Sequence, residues 1–258
     1  MTSLAAQEVT VRRGGRAIVD AVSVELTAGM FVALVGANGA GKSTLVSCLA
    51  GLISPDAGEV RLDGQPLRTI PRKALARRRA YLPQALRAEW PIAVERLVAL
   101  GLTPQLPAFG ELPGGLEPRL TKALEACDLA TQRLQPATTL SGGELARAML
   151  ARAMIGDPDI LLADEPTSGL DPRHALDTAR RLRALAVDDG RLVIATLHDL
   201  TLAARHATHL MALRQGRLVA FGRMEEALTP GLLREVFEVE GCVSGQGVST
   251  IVDYVAPV

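Results

Sequence analysis

Residues 34–45 read LVGANGAGKSTL, placing Gly36, Gly41, Lys42 and Ser43 in the order G-x4-G-K-[ST]. Glycines at this spacing let the backbone turn tightly, so that N–H groups along Asn38, Gly39, Ala40, Gly41 and Thr44 can face one point. A helix opening at the end of the loop adds its positive end to that point. Lys42 then reaches the β- and γ-phosphates of a nucleotide as a point charge, and Ser43 can offer its hydroxyl oxygen to Mg2+. The chain contains only three lysines, which makes one inside a phosphate loop more informative.

A second group of reactive side chains follows the apolar run ILLA, in ILLADEPTSGLD at residues 160–171. Charge directly after a buried strand belongs at the strand's C-terminal edge, where ligands sit in parallel sheets. Neighbouring side chains on a strand point to opposite faces, so Asp164 and Glu165 can hold different tasks. Asp164 suits Mg2+, directly or through water. Glu165 suits polarising the water that attacks a γ-phosphate. His198, after the strand RLVIAT, can contact that phosphate or simply begin a helix, with Asp199 as the N-cap. Gln84, closing RAYLPQ, offers an amide oxygen to Mg2+ or its water, or serves as a polar turn residue.

A second glycine-rich helix start stands about a hundred residues downstream of the first, in LSGGELARAMLARAM at residues 140–154. Ser141 and Glu144 have capping-box spacing. Leu145, Met149, Leu150, Ala153 and Met154 then form a stripe expected to be buried. Capping requires neither Gly142 nor Gly143. Two glycines there remove side chains and open the helix's positive end to an outside anion, with no lysine to complete the seat. One nucleotide cannot easily fill both seats of one chain, whereas two chains packed head-to-tail could each cover the other's nucleotide.

These residues must be held by a largely parallel sheet wrapped by helices, because β-branched runs alternate with helical patterns. VSVEL, MFVALV, GEVRLDG, RAYLPQ, DILLADE and RLVIATL read as strands. GKSTLVSCLAG, RHALDTARRLRALA and DLTLAARHA read as helices, and HLMAL with RLVAFG reads as a hairpin turning at RQG. From residue 85 to 140 the patterns are helical only, interrupted by the connector LTPQLPAFGELPGG. The sequence thus divides into an α/β core, residues 1–84 and 156–258, and an inserted helical subdomain, residues 85–155. RKALARRR, 72–79, reads as a solvated helix face, with acidic lipid headgroups as an alternative partner. The last twenty residues read as irregular or edge-stranded, with no assigned task.

Bulk properties narrow the class. The 258 residues are 48% hydrophobic, enough for a sizeable core, and carry 28 basic and 28 acidic side chains. Zero net charge weighs against nucleic acid as partner. Cys48, Cys127 and Cys242 form no CxxC, which argues against a disulfide framework or zinc site and fits a reducing compartment. No apolar run reaches transmembrane length and the first residues lack a signal-peptide pattern, so the expectation is a soluble cytosolic chain that meets any membrane through a partner.

In combination the motifs are specific. The sequence resembles the nucleotide-binding subunits of ABC transporters over nearly its whole length. GANGAGKST stands as the Walker A loop, Gln84 as the Q-loop, LSGGE as the signature, ILLADE as Walker B, SGLD as the D-loop and His198 as the switch histidine. The resemblance implies a P-loop NTPase core with an antiparallel β part and an inserted helical subdomain. It implies ATP and Mg2+ as ligands, with Ser43, Gln84 and Asp164 at the metal and Glu165 and His198 at the reacting centre. It also implies a head-to-tail homodimer in which Ser141, Gly142, Gly143 and Glu144 cover the partner's ATP and Asp171 links the two sites.

Residues 198–237 look like the subfamily that energises import of iron–siderophore complexes, haem or cobalamin. That likeness implies two transmembrane permease subunits, a substrate-binding protein and a peripheral place on the cytoplasmic side of the cell membrane. AEWPIAVE, after Gln84, would receive a permease helix; Trp90 is otherwise an ordinary buried aromatic. The aromatic that commonly stacks on adenine is missing, and Arg12 or Arg13 stands in its region. Alternatives are a soluble ABC-type ATPase working on nucleic acid or the ribosome, an exporter subunit, or a regulatory subunit that binds ATP without turnover.

Overall fold

The computed structural model describes residues 1–84, 88–106 and 115–258. Residues 107–114 of the connector LTPQLPAFGELPGG, and residues 85–87 at the start of the inserted segment, lie outside the described residues.

The chain opens with two long strands, β1 (Ser3–Arg13) and β2 (Arg16–Thr27), then β3 (Phe31–Val35), the phosphate loop and helix α1 (Lys42–Leu49). β4 (Ala57–Leu62), β5 (Gln65–Pro66), α2 (Arg72–Arg78) and β6 (Arg79–Leu82) follow. The middle supplies α3 (Val94–Ala99), α4 (Leu116–Ala126) and α5 (Gly142–Met154). Then come β7 (Ile160–Ala163), α6 (Pro172–Val187), β8 (Leu192–Thr196), α7 (Leu200–His206) and the hairpin β9 (His209–Arg214) with β10 (Arg217–Arg223). The chain finishes with α8 (Met224–Ala227), α9 (Pro230–Phe237) and a hairpin, β11 (Val239–Ser244) with β12 (Ile251–Pro257).

Among the described residues these strands form three sheets. The central one runs β10-β9-β3-β8-β7-β6. Every neighbouring pair from β9 to β6 is parallel, and β10 is antiparallel to β9. β3, β7 and β8 are buried along their whole length, the burial expected of parallel strands covered on both faces. The period-two alternation divides their side chains between two cores. Phe31, Ala33 and Val35 face the helices α5, α6, α7 and α9, while Val32 and Leu34 face α1 and the second sheet. That second sheet is antiparallel, in the order β2-β1-β4-β5.

β1 was not among the expected strands. Its apolar positions, Leu4, Ala6, Val9 and Val11, break their alternation between Ala6 and Val9, where the register against β2 shifts and Glu8 takes a φ of +51°. A bulge displaces the alternation by a residue, so a simple period-two reading of the sequence fails there.

The segment between β6 and β7 is helical among its described residues, as the pattern implied. Its entry is pinned by backbone bonds from Val94 N–H to the Gln135 carbonyl and from Ala137 N–H to the Ile92 carbonyl. Trp90 is 74% exposed, which rules out the buried-aromatic reading. α5 buries Ala146, Ala148, Met149, Leu150 and Ala151, whereas Leu145, Ala153 and Met154 of the expected stripe are half-buried. The helix packs against α3 and α4 on one side and β6 and α6 on another, so its buried arc is wider than one stripe and shifted toward small residues.

The arginine-rich segment is not simply a solvated face. Lys73 and Arg77 donate to the carbonyls of Leu106 and Pro104, and Arg78 bridges Asp63 and Asp159. Arg79 leaves the helix and enters β6 half-buried. Among the described residues no helix is long and apolar enough to cross a membrane.

Candidate functional site

Because β6, β7, β8 and β3 are parallel neighbours, their C-terminal ends meet at one edge. The register pairs Leu82 with Ala163, Ala163 with Ala195, and Leu34 with Thr196. The residues just beyond those ends are therefore neighbours: Gln84 after β6, Asp164 and Glu165 after β7, His198 after β8, and the phosphate loop after β3. Motifs separated by more than a hundred residues converge because strand order, not chain order, sets what is adjacent.

The loop needs its glycines for two different reasons. Gly36 has φ +148° and Gly41 φ +96°, and a Cβ at either would lie 2.3 or 2.4 Å from a backbone oxygen, of Leu213 and Ile18 respectively. β2 and β9 thus press directly on the loop, and no side chain fits between. α1 then starts after Gly41 with no side-chain cap, leaving its first N–H groups without a capping side chain. Lys42 is only 6% exposed, and its ammonium donates to the carbonyls of Gly36 and Ala37 at 2.8 and 3.0 Å. Burial pushes its pKa down, against the opposing pull of Glu165 and Asp164. Asn38 and Gly39 are exposed at the loop's tip, Ala40 is buried, and Thr44 is half-buried in the first turn of α1.

Asp164 is 4% exposed and accepts from the Ser43 hydroxyl at 3.1 Å and the Thr196 hydroxyl at 2.8 Å. Glu165 lies at φ +49°, a left-handed conformation that costs a non-glycine residue about 1–3 kcal/mol. Its N–H donates to the Thr196 hydroxyl at 2.6 Å, which helps hold the strained turn. The side chain is aimed at His198, with 2.7 Å between Oε1 and Nε2. Burial pushes the Glu165 pKa up, but hydrogen bonds from His198 and Gln84 and the charge of Lys42 outweigh it. The net shift is downward, so the carboxylate is ionised at neutral pH. Asn38, Gln84, Glu165, Thr167, Ser168, Thr196, His198 and Asp199 line one cavity of about 600 Å³. Asp199 caps α7, as expected, by accepting from Leu202 N–H.

Thr196 was not foreseen. A lone threonine ending an apolar strand has no motif to mark it, and its role shows only once β8 lies between β3 and β7.

The second helix start is elsewhere, and none of its residues lines that cavity. Ser141 and Glu144 form the expected capping box, with 2.7 Å between the Ser141 hydroxyl and the carboxylate. Hydrogen bonds from Ser141 hold the Glu144 carboxyl below its usual pKa. Gly142 faces open space. The space above Gly143 is occupied by His174, whose ring a Cβ there would meet at 2.4 Å. Asp171 caps α6 and accepts from both the N–H and the Nδ1 of His174. Arg12 and Arg13 are exposed at the β1–β2 turn.

The fold and the edge of charged residues define a P-loop nucleotide-hydrolysing domain. The ABC transporter family matches residues 19–168. The chain belongs to the ABC transporter family, and it is an ATPase of that family's transport-coupled type. The hemin import ATP-binding protein HmuV of Bordetella avium is 39% identical over 249 residues, covering 93% of this chain and 94% of the relative. HmuV of Streptomyces coelicolor is 42% identical, over 91% of this chain and 82% of that protein. The ferric enterobactin transport ATP-binding protein FepC of Escherichia coli is 37% identical over 91% and 86%. Among solved structures, an inward-facing conformation of a metal-chelate type ABC transporter superposes with a TM-score of 0.85 at 22% identity. It covers 100% of this chain and 98% of that one, likeness in fold that extends through the C-terminal hairpin.

Proposed function

We propose that the chain is the ATP-hydrolysing subunit of an importer for an iron–siderophore complex, haem or cobalamin. It would act as a head-to-tail pair on the cytoplasmic face of the membrane, attached to two permease subunits that receive cargo from a binding protein. The names of the relatives, for hemin and ferric enterobactin, support the cargo class. In this reading residues 1–84 and 156–258 form the ATP-binding core, and residues 85–155 are the helical lobe whose exposed Trp90 surface meets the permease.

Residues 36–44 would wrap the phosphates, Lys42 neutralising the β- and γ-groups. The Ser43 hydroxyl beside the Asp164 carboxylate is a hard, oxygen-only donor pair, with the Gln84 amide nearby, and it fits Mg2+, which keeps several waters and takes few protein ligands. When bound, that ion would supply positive charge that offsets the negative charge of the phosphates. Glu165 takes a proton from the attacking water. His198, already 2.7 Å from that carboxylate, orients it and contacts the γ-phosphate. Ser141, Gly142, Gly143 and Glu144 cover the partner's ATP, and Asp171 joins the two sites.

The observation that carries this reading is the cavity lined by Asn38, Gln84, Glu165 and His198, with Thr196 bonding both Glu165 and the adjacent Asp164, and with no signature residue in its lining. Glu165→Gln should bind ATP normally, lose nearly all turnover and accumulate an ATP-bound dimer on size exclusion. A monomeric variant with wild-type turnover would refute the assignment. For cargo, ATPase activity of the reconstituted transporter should rise with one of the three cargo classes presented on its binding protein. No response to any of them would reject the importer reading.

A further inference from the structure

His174 belongs to none of the recognised motifs, yet it touches two of them. It is the third residue of α6, and its backbone N–H donates to Oδ1 of Asp171 at 2.9 Å. Its ring Nδ1 lies 2.7 Å from the other oxygen, Oδ2. A carboxylate only accepts, so Nδ1 carries the proton and Nε2 points away from Asp171. Both oxygens of Asp171 are thereby engaged by a single residue, although Asp171 itself is exposed. The far edge of the same ring lies over Gly143. A Cβ on Gly143 would be 2.4 Å from Cδ2, 2.6 Å from Cγ and 2.7 Å from Nε2 of His174. Any side chain at 143 would therefore strike the ring. The ring spans a junction, since Gly143 lies in the first turn of α5 and Asp171 is the N-cap of α6.

We propose that His174 is a positioning residue for hydrolysis, tying the Asp171 carboxylate and the first turn of α5 into one unit. These are the two elements that one chain offers to its neighbour's nucleotide, and the link makes them arrive together and in fixed relation. The inference rests on the head-to-tail reading above. An imidazole suits the task because it is rigid, donates from one edge and packs with the other. Alanine would free the carboxylate and leave the glycine uncovered.

The test uses the full chain with His174→Ala, His174→Asn and, separately, Ser141→Arg. Asparagine can place an amide near where Nδ1 stands but cannot reach over Gly143. His174→Ala should lower kcat about tenfold, an effect of the size that small misplacements produce. ATP affinity of single copies should stay within about twofold, because the ring's contacts are Asp171 and Gly143 and it does not line the cavity beside the phosphate loop. His174→Asn should recover part of the kcat. Wild-type kcat in His174→Ala would overturn the proposal. So would a joint loss of kcat, ATP affinity and melting temperature that asparagine does not relieve, since that describes a merely structural residue. Ser141→Arg separates the two levels: if it hydrolyses ATP at the wild-type rate, the head-to-tail reading itself fails. If it is inactive while His174→Ala is normal, only the role of His174 fails.

Discussion

The two glycine-rich helix starts differ in what they leave unsatisfied. α1 begins with no side-chain cap, a buried lysine and three parallel strand ends delivering Gln84, Asp164, Glu165 and His198 beside it. α5 begins with its own cap, the Ser141–Glu144 box, and with a glycine exposed to open space. The first is a seat whose backbone donors still need an anion, supported by a cation. The second has already satisfied part of its helix end internally and has no lysine in its loop, so it is a weaker seat for a phosphate than the first. On the head-to-tail reading proposed above, that asymmetry would make a pair of chains more competent than one.

Changes at the α1 site should therefore cost most. Glu165→Gln removes the proton acceptor and should lower kcat by roughly 10²–10⁴-fold in a steady-state assay, with ATP affinity retained. Loss of turnover and affinity together would instead make Glu165 a binding group. Lys42→Ala should weaken ATP binding on the order of ten- to a hundredfold per bond lost, since charge-assisted hydrogen bonds contribute about 1.5–3 kcal/mol each. Equilibrium titration with a fluorescent ATP analogue reads this directly.

Thr196→Val sharpens the comparison. It keeps the shape but strips the hydroxyl from the Asp164 carboxylate and the Glu165 N–H. Leaving the Glu165 N–H unpaired and Asp164 with the Ser43 hydroxyl alone should cost about 1–3 kcal/mol of stability, read by denaturant titration, with kcat falling as the strained turn at Glu165 loosens. An unchanged variant would show that the turn holds itself. Smallest of all, Trp90→Ala should change stability by less than about 0.5 kcal/mol, because an exposed side chain has little packing to lose. Its effect should appear only as weaker stimulation of turnover by the permease.

Much of this site is legible in the sequence because its motifs sit at punctuation: glycine runs, and charges that end apolar strands. Lys42, Asp164 and Glu165 are recognisable from type and spacing alone. Their convergence follows from the alternation of strands and helices, since parallel strands share an edge. What escapes has no punctuation. Thr196 is one polar residue in an apolar run, and His174 is an ordinary helix-face residue until α5 is brought against α6. β1 escapes because its bulge breaks the period-two pattern, and Trp90 because burial of a single aromatic depends on what packs over it. The tail's two strands pair with each other, and Arg205 and Thr201 of α7 bond its backbone at Thr250 and Val252, partners that no local pattern reveals.

The most direct measurement mixes Lys42→Ala chains with Ser141→Arg chains, each inert alone. In the hybrid, the intact phosphate loop of one chain meets the intact signature of the other, so one competent pocket forms. Turnover should reappear at up to roughly a quarter of the wild-type rate, because half of randomly paired dimers are hybrids with one working site of two. Activity that stays at the level of the parents, or full-rate hydrolysis by a chain held monomeric, would contradict the account.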